Sequence, residues 1–202
     1  PTGAVQPNQT AISDDRFLPG LKALTERVHR HGAKIAAQLH HGGLVAGYSA
    51  DAFDQELWAP CFPPPMQGDF LDYFLPEELA GFAGGNMPRL KVLEPGDIDL
   101  VVNQFGAAAG RAKAAGFDAI EIHGGHGYLL SSFISPKTNT RTDEYGGSLE
   151  NLLRLLLRVI GAVRDAVGPD FPVWVKLDTA EHGKEGGITL GLALEAARLV
   201  EA

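Results

Sequence analysis

The 202-residue chain carries 17 Lys and Arg against 25 Asp and Glu, a formal net charge of −8, and is 45% hydrophobic and 21% charged. That composition describes one ordinary globular domain, large enough to bury a core, and excludes a disordered chain. The acidic balance argues against nucleic acid or an anionic membrane surface as partner, and no apolar stretch approaches the roughly 20 residues that span a bilayer. The single cysteine, Cys61, excludes an internal disulfide and fits a reducing, cytoplasmic setting. It reads as a small buried or loop residue rather than a nucleophile. The chain opens at Pro1 and closes in an unfinished helical pattern, Leu192-Ala-Leu-Glu-Ala-Ala-Arg-Leu-Val-Glu-Ala202. Both ends are therefore expected to be cut, and a missing targeting peptide carries no weight.

Taken in order, Leu18, Leu21, Leu24 and Val28 follow helical spacing, with Gly32 as the expected C′ residue, and Lys34-Ile-Ala-Ala-Gln-Leu39 follows as a strand. The segment from Gly47 to about Gly96 reads as irregular, with Pro63-Pro-Pro65 and scattered aromatics. It is too long for a plain connection and reads as a lid or an insertion. Trp58, Phe62, Phe70, Tyr73 and Phe74 could cover a flat ligand or simply pack this segment down. A second helix is expected from Asp97 as N-cap, with Ile98, Val101, Phe105, Ala108, Ala112 and Ala115 on one face and Gly116 ending it. The apolar run Phe117-Asp-Ala-Ile-Glu-Ile122 is then a buried strand. Ser148 caps a third helix carrying Leu152, Leu156, Val159 and Val163, stopped by Gly168-Pro169. Pro172-Val-Trp-Val-Lys-Leu177 is the third strand, and another helix starts near Thr189.

Helix-then-strand units with continuous apolar strands predict an α/β fold with a parallel sheet, either an open doubly wound sheet or a barrel. No Gly-rich phosphate fingerprint follows a strand, which counts against a dinucleotide-binding fold. The polar residues of all three strands gather at their C-terminal ends: Gln38 on the first, Glu121 and His123 on the second, Lys176 and Asp178 on the third. In either topology the ligand sits at that edge, so the three ends predict one shared pocket. The stretch Glu121-Ile-His-Gly-Gly-His-Gly-Tyr128 adds two imidazoles and a phenol just past the second strand, separated by glycines that let a ligand approach the backbone.

Gln38-Leu-His-His-Gly-Gly43, Phe117-Asp-Ala-Ile-Glu-Ile-His-Gly-Gly-His-Gly-Tyr128 and above all Ser135-Pro-Lys-Thr-Asn-Thr-Arg-Thr-Asp-Glu-Tyr-Gly-Gly-Ser-Leu-Glu-Asn151 resemble the old yellow enzyme, or NADH:flavin oxidoreductase, family. The similarity runs the whole length and is weakest across 47–96. It implies a flavin-binding (β/α)8 TIM barrel of which residues 1–202 hold about strands three to five with their helices. It also implies FMN as cofactor, NADH or NADPH as reductant, and hydride transfer to an activated alkene or related small molecule.

The resemblance assigns roles residue by residue. Gln38 meets the flavin pyrimidine edge with its amide, which offers both donors and an acceptor. Lys176 stands where a positive charge near that edge stabilises the reduced flavin; the family often has arginine there, and lysine keeps the charge without the fork geometry. His123 and His126 hold the carbonyl or nitro oxygen of the substrate and polarise the alkene. Tyr128 protonates the carbon alpha to the activating group, as a phenol that stays protonated at neutral pH can do. Arg141, Asp143, Tyr145 and Asn151 are expected to fix their loop rather than react.

The family's Gln-Leu-x-His-x-Gly often continues with arginine, whereas here Leu44 follows Gly43, and His40 is an unassigned imidazole. The strands that carry the flavin phosphate site are expected beyond Ala202, so no residue is named for it. Within the family, amine dehydrogenases and dienoyl-thioester reductases add C-terminal domains with a 4Fe-4S cluster, and the same histidine pair fits them. From another class, His-x-x-His is half a metal site that Glu121 and Asp178 could complete in a TIM-barrel hydrolase or lyase. No metal ligand is assigned. A stretch with three of about eight strands is also expected to be unstable by itself, or a non-catalytic piece.

Overall fold

The structure is a computed structural model that describes residues 3–5, 9–46, 56–62, 89–183 and 185–201. The helices are α1 (Leu18–His29), α2 (Pro95–Ala114), α3 (Leu129–Ile134), α4 (Leu149–Val167) and α5 (Leu190–Glu201); the strands are β1 (Ala36–Leu39), β2 (Glu56–Ala59), β3 (Arg89–Val92), β4 (Ala119–Gly124) and β5 (Val173–Leu177). Among the described residues, no helix is long and apolar enough to cross a membrane.

Strands β1, β4 and β5 form a parallel sheet in that order, with Gln38 opposite Glu121, Glu121 opposite Trp174, and His123 opposite Lys176. Side chains in register on parallel strands share a face, so these five polar or amphipathic residues lie on one side of the sheet. Ile120 and Ile122, both fully buried, lie on the other side, in one core with Val101, Phe105 and Ala112 of α2 and Leu153, Leu156, Val159 and Val163 of α4. Each of the Ile, Leu, Val and Phe side chains, fully buried, contributes about 1.5–3 kcal/mol. The two long helices cross closely at Gly106, where a Cβ would stand 3.1 Å from the Ala162 carbonyl oxygen. A doubly wound sheet is covered on both faces; here the described helices cover one, and the other is polar. That is the arrangement of a barrel wall.

The apolar lines expected for α2 and α4 are the ones buried. The first helix differs: Leu24 is exposed, and Thr25 takes the buried position one residue on, donating its hydroxyl to the Ala115 carbonyl at 2.6 Å. The N-cap of α2 is Glu94, not Asp97. The two form a capping box in which Asp97, at N3, accepts from the Glu94 N–H. Ser148 caps α4 as expected, accepting from the Asn151 N–H.

All three strands expected from the sequence start late, β5 by one residue and β1 and β4 by two. Lys34 and Ile35 precede β1 because they serve a clamp: Asp118 accepts from Lys34 Nζ (2.7 Å) and the Ile35 N–H (2.9 Å) and contacts His29 Nε2 (2.8 Å). The Lys34 ammonium, then His29, hold the Asp118 carboxyl well below the usual carboxylate range. Phe117 and Asp118 are spent on the turn out of α2, and β4 runs on to Gly124 because β5 pairs with it that far, two residues beyond the last β1 pair at Ile122. His123 is therefore inside the strand, not past it.

The 47–96 segment is not irregular throughout. β2 and β3 pair in parallel, Glu56 opposite Arg89 and Ala59 opposite Val92. Trp58 is buried, its ring stacked on His41 and covered by Lys91, so it packs the segment down, whereas Phe62 is exposed. Phe70, Tyr73, Phe74 and the triple proline lie outside the described residues.

Candidate active site

The site is built on the polar face of the β1-β4-β5 sheet and on the loop from β4 into α3. In the lower row, Gln38 Nε2 donates to Glu121 Oε1 at 2.6 Å and Trp174 Nε1 donates to Glu121 Oε2 at 2.9 Å. Burial opposes ionisation of Glu121, but the Gln38 and Trp174 donors, with the Lys176 charge nearby, outweigh it and hold its carboxyl below the ordinary value. In the upper row, exposed Lys176 stands beside buried His123.

The His123 ring is oriented locally. Its Nδ1 accepts the Gly125 N–H at 3.1 Å, which puts its proton on Nε2, and that nitrogen meets His126 Nδ1 at 3.1 Å. Burial, then the neighbouring His126 and His40 rings and Lys176, lower the His123 pKa, so the neutral imidazole is favoured. His126 lies at φ 61°, a left-handed conformation that costs a non-glycine residue about 1–2 kcal/mol. Asp178 compensates: its Oδ1 accepts the His126 N–H at 2.9 Å and its Oδ2 accepts the Ser131 hydroxyl at 2.6 Å. The end of β5 thus anchors the loop that ends β4.

Tyr128 opens α3 as its N-cap residue, and its ring stacks on His123 with centroids 4.6 Å apart and an interplanar angle of 24°. His40, from the end of β1, joins them, its ring tilted against Tyr128 at 5.3 Å and 6.4 Å from the His123 ring. The Gln9 amide contacts His40 Nε2, and His40 Nδ1 is buried without a hydrogen-bond partner among the described residues. His41 is turned away, buried against Trp58 with its Nδ1 accepting the Gly43 N–H. Gly43 has to be glycine: it sits at φ 60°, and a Cβ would be 2.8 Å from the Leu129 nitrogen. That close approach seats the His40–Gly43 loop on α3.

The long Ser135–Asn151 segment braces this loop from behind. Arg141 donates from Nη1 to the carbonyls of Pro60 and Leu93, both at 2.7 Å, and pairs through Nε with Asp143. Its fork thereby ties the ends of β2 and β3 to the segment. Asn139 donates to the Phe133 and Tyr145 carbonyls, Arg158 donates to the Tyr145 hydroxyl, and Asn151 donates to the Gly146 carbonyl. Cys61 donates its thiol to the Thr138 carbonyl. All of these are fastenings.

The structure brings Gln38, His123, His126, Tyr128 and Lys176 to one sheet edge. It uses Glu121 and Asp178 as hydrogen-bond acceptors rather than adding them to the imidazole pair, and no group of three or more His, Cys, Asp or Glu converges among the described residues. Trp174 and Ser131 were not singled out from the sequence. Period-two spacing from Lys176 would have placed Trp174 on the same face, whereas nothing local marks Ser131.

Residues 1–201 match the NADH:flavin oxidoreductase / NADH oxidase family. An NADH oxidase from Thermoanaerobacter brockii is 37% identical over 193 residues, 96% of this chain and 27% of its own length. An NADPH dehydrogenase from Halalkalibacterium halodurans is 38% identical over 187 residues, 93% of this chain and 47% of its own. Among solved structures, the old yellow enzyme from Pichia sp. AKU4542 superposes with a TM-score of 0.66 at 36% identity, over 82% of this chain and 41% of that one. A 2-naphthoyl-CoA reductase complex does so with a TM-score of 0.79 at 26% identity, over 99% and 29%. The chain therefore spans about a quarter to a half of the length of these relatives. Its sheet, with helices on one face and the site on the other, is an incomplete (β/α)8 barrel. With the match running from end to end, the chain belongs to the NADH:flavin oxidoreductase / NADH oxidase family.

Proposed function

We propose that this chain carries the substrate-facing half of the site of an FMN-dependent oxidoreductase, which takes hydride from NADH or NADPH and passes it to an alkene activated by a carbonyl or nitro group. The observation that carries this is the packed set His123, His126 and Tyr128 beside Gln38 and Lys176 at one edge of the sheet. The residues fit the cofactor. Gln38, its Nε2 held by Glu121, keeps its carbonyl oxygen for the imide edge of an isoalloxazine, and Lys176 supplies a cation on the same face.

FMN, when bound, supplies the hydride. The chain's own residues do the rest. An imidazole N–H from the His123–His126 pair donates to the substrate oxygen and draws electron density from the C=C bond. Hydride arrives at the β carbon, Tyr128 gives its proton to the α carbon, and the π bond is replaced by two C–H bonds. Stacking on His123, with His40 tilted against the ring, holds the phenol in place and leaves the hydroxyl to serve as the donor. A single cysteine among 202 residues agrees with a cytoplasmic setting.

The full-length protein tests this directly. It should purify with flavin absorbance, bleach with NADH or NADPH under anaerobic conditions, and regain colour on adding an enone. A colourless protein that cannot be reconstituted with FMN sinks the proposal. A longer amine dehydrogenase or thioester reductase with a 4Fe-4S cluster is the second assignment. It is favoured by a match to histamine dehydrogenase from Rhizobium sp. 4-9 (TM-score 0.73, 29% identity, 25% of that chain), and iron analysis of the same preparation separates the two.

A further inference from the structure

Among the described residues Glu121 is the one carboxylate in the middle of the polar face, and none of the roles above uses it. It sits on the central strand, in register between Gln38 and Trp174, and each of its oxygens takes one neutral N–H. Among the described residues it forms no ion pair within 4.0 Å; Lys176 lies one row further along and acts on it through space. A partly buried charge held by neutral donors, with no cation in contact, is a costly way to brace a sheet, and two neutral acceptors would do that work.

Among side chains, the carboxylate is the strong acceptor that carries no donor. A glutamine amide has two orientations that exchange oxygen and nitrogen. Against Glu121, Gln38 is confined to the one with Nε2 inward, so its oxygen and second N–H are presented outward. Charge-assisted hydrogen bonds are roughly twice as strong as neutral ones, which favours this orientation by about tenfold or more.

We infer that Glu121 is a positioning residue for the cofactor edge: it fixes the Gln38 amide for the pyrimidine ring, and its charge opposes that of Lys176. The inference rests on the proposed function. Two properties of the full-length protein read it out apart from turnover. Glu121→Gln keeps the volume and removes the charge, which lets Gln38 turn over. FMN should dissociate about tenfold more readily, and the effect should not add to that of Gln38→Ala, because both variants lose the same contact. Removing a negative charge beside the site of reduction should also favour the reduced state by roughly tenfold, a positive shift of about 30 mV for a two-electron couple.

Glu121→Asp separates the two effects. It keeps the charge but draws back from Gln38, so FMN binding should weaken with little change in potential, and it carries the test if Glu121→Gln does not fold. FMN affinity within twofold of wild type in Glu121→Asp, or losses fully additive with Gln38→Ala, overturns the inference while leaving the flavin assignment intact. A wild-type protein that binds no FMN overturns the proposed function, and this inference with it.

Discussion

The Tyr128 ring lies flat against the buried His123 imidazole, centroids 4.6 Å apart. The proposed proton donor and one of the proposed oxygen-holding groups are thus a single packed unit, with His40 set beside both rings. Phenylalanine preserves this stacking and deletes only the hydroxyl. Tyr128→Phe should therefore slow the reduction of an enone by about 10²–10⁴-fold, the usual worth of a positioned general acid. Reduction of the bound FMN by NADH or NADPH should stay near the wild-type rate. Stopped-flow measurement of the two half-reactions checks this, and equal losses in both would remove Tyr128 from the role.

Lys176 is in register with His123, one row beyond Glu121, and it is exposed on the polar face. Its ammonium can stabilise negative charge that develops there on reduction. Lys176→Met keeps much of the length and apolar stem and should make the FMN potential more negative by about 30 mV or more, a tenfold change in the two-electron equilibrium. Potentiometric titration against a reference dye reads the shift. An unchanged potential would leave Lys176 as a solvated surface charge.

The apolar faces of α2 and α4 are legible because their helical spacing is unbroken, and Ser148 is legible because capping is a local event. The end of β4 is not local. The strand reaches Gly124 only because Lys176 and Leu177 of β5 pair with its last two residues, a contact across more than fifty positions. Asp97 has the chemistry of an N-cap, and only the backbone conformation decides that Glu94 takes that place. The β2–β3 ribbon is two four-residue strands inside Gly- and Pro-rich sequence, too short to raise a periodic signal. The candidate site is legible in Gln38, His123 and Lys176 because polar residues at strand ends stand out against apolar runs, and in His126 and Tyr128 because they follow the strand in a Gly-rich loop. The carboxylates that orient them were visible as residues but not as partners. Asp178 reaches His126 across 52 positions, and Glu121 reaches Gln38 across 83.

Asp178 ties the β4–α3 loop to the first turn of α3 through the His126 N–H and the Ser131 hydroxyl, and it offsets the left-handed backbone at His126. Without it, the His126 ring loses its fixed position while the sheet row of Gln38 and Glu121 is untouched. Asp178→Ala should weaken binding of a phenol or enone ligand by about tenfold, the worth of one charge-assisted hydrogen bond, with FMN content unchanged. Ligand titrations followed in the flavin spectrum measure this. Wild-type ligand affinity in Asp178→Ala would mean the imidazole pair is positioned by other contacts.

His41 links the site to acid stability. It is buried against Trp58, and burial, then the neighbouring His40, push its pKa down from 6.5 to about 4. The fold thus favours the neutral ring, and the unfolded chain binds the extra proton. Stability from this group is fully present above pH 6.5 and is lost as the pH falls toward 4, by an amount of the order of 3 kcal/mol. Burial lowers His40 and His123 as well, which adds to the same slope. The carboxylates held low, such as Asp143 and Glu121, have ordinary values of 3.8 and 4.5 and lose their contribution only below that range. Between pH 6.5 and 4.5 the slope therefore belongs to the histidines. Urea unfolding of the full-length protein at pH 7.5, 5.5 and 4.5 should show stability falling with pH, and His41→Gln should flatten the fall. An identical slope in wild type and His41→Gln would mean that His41 titrates near its ordinary value and is not what ties the fold to pH.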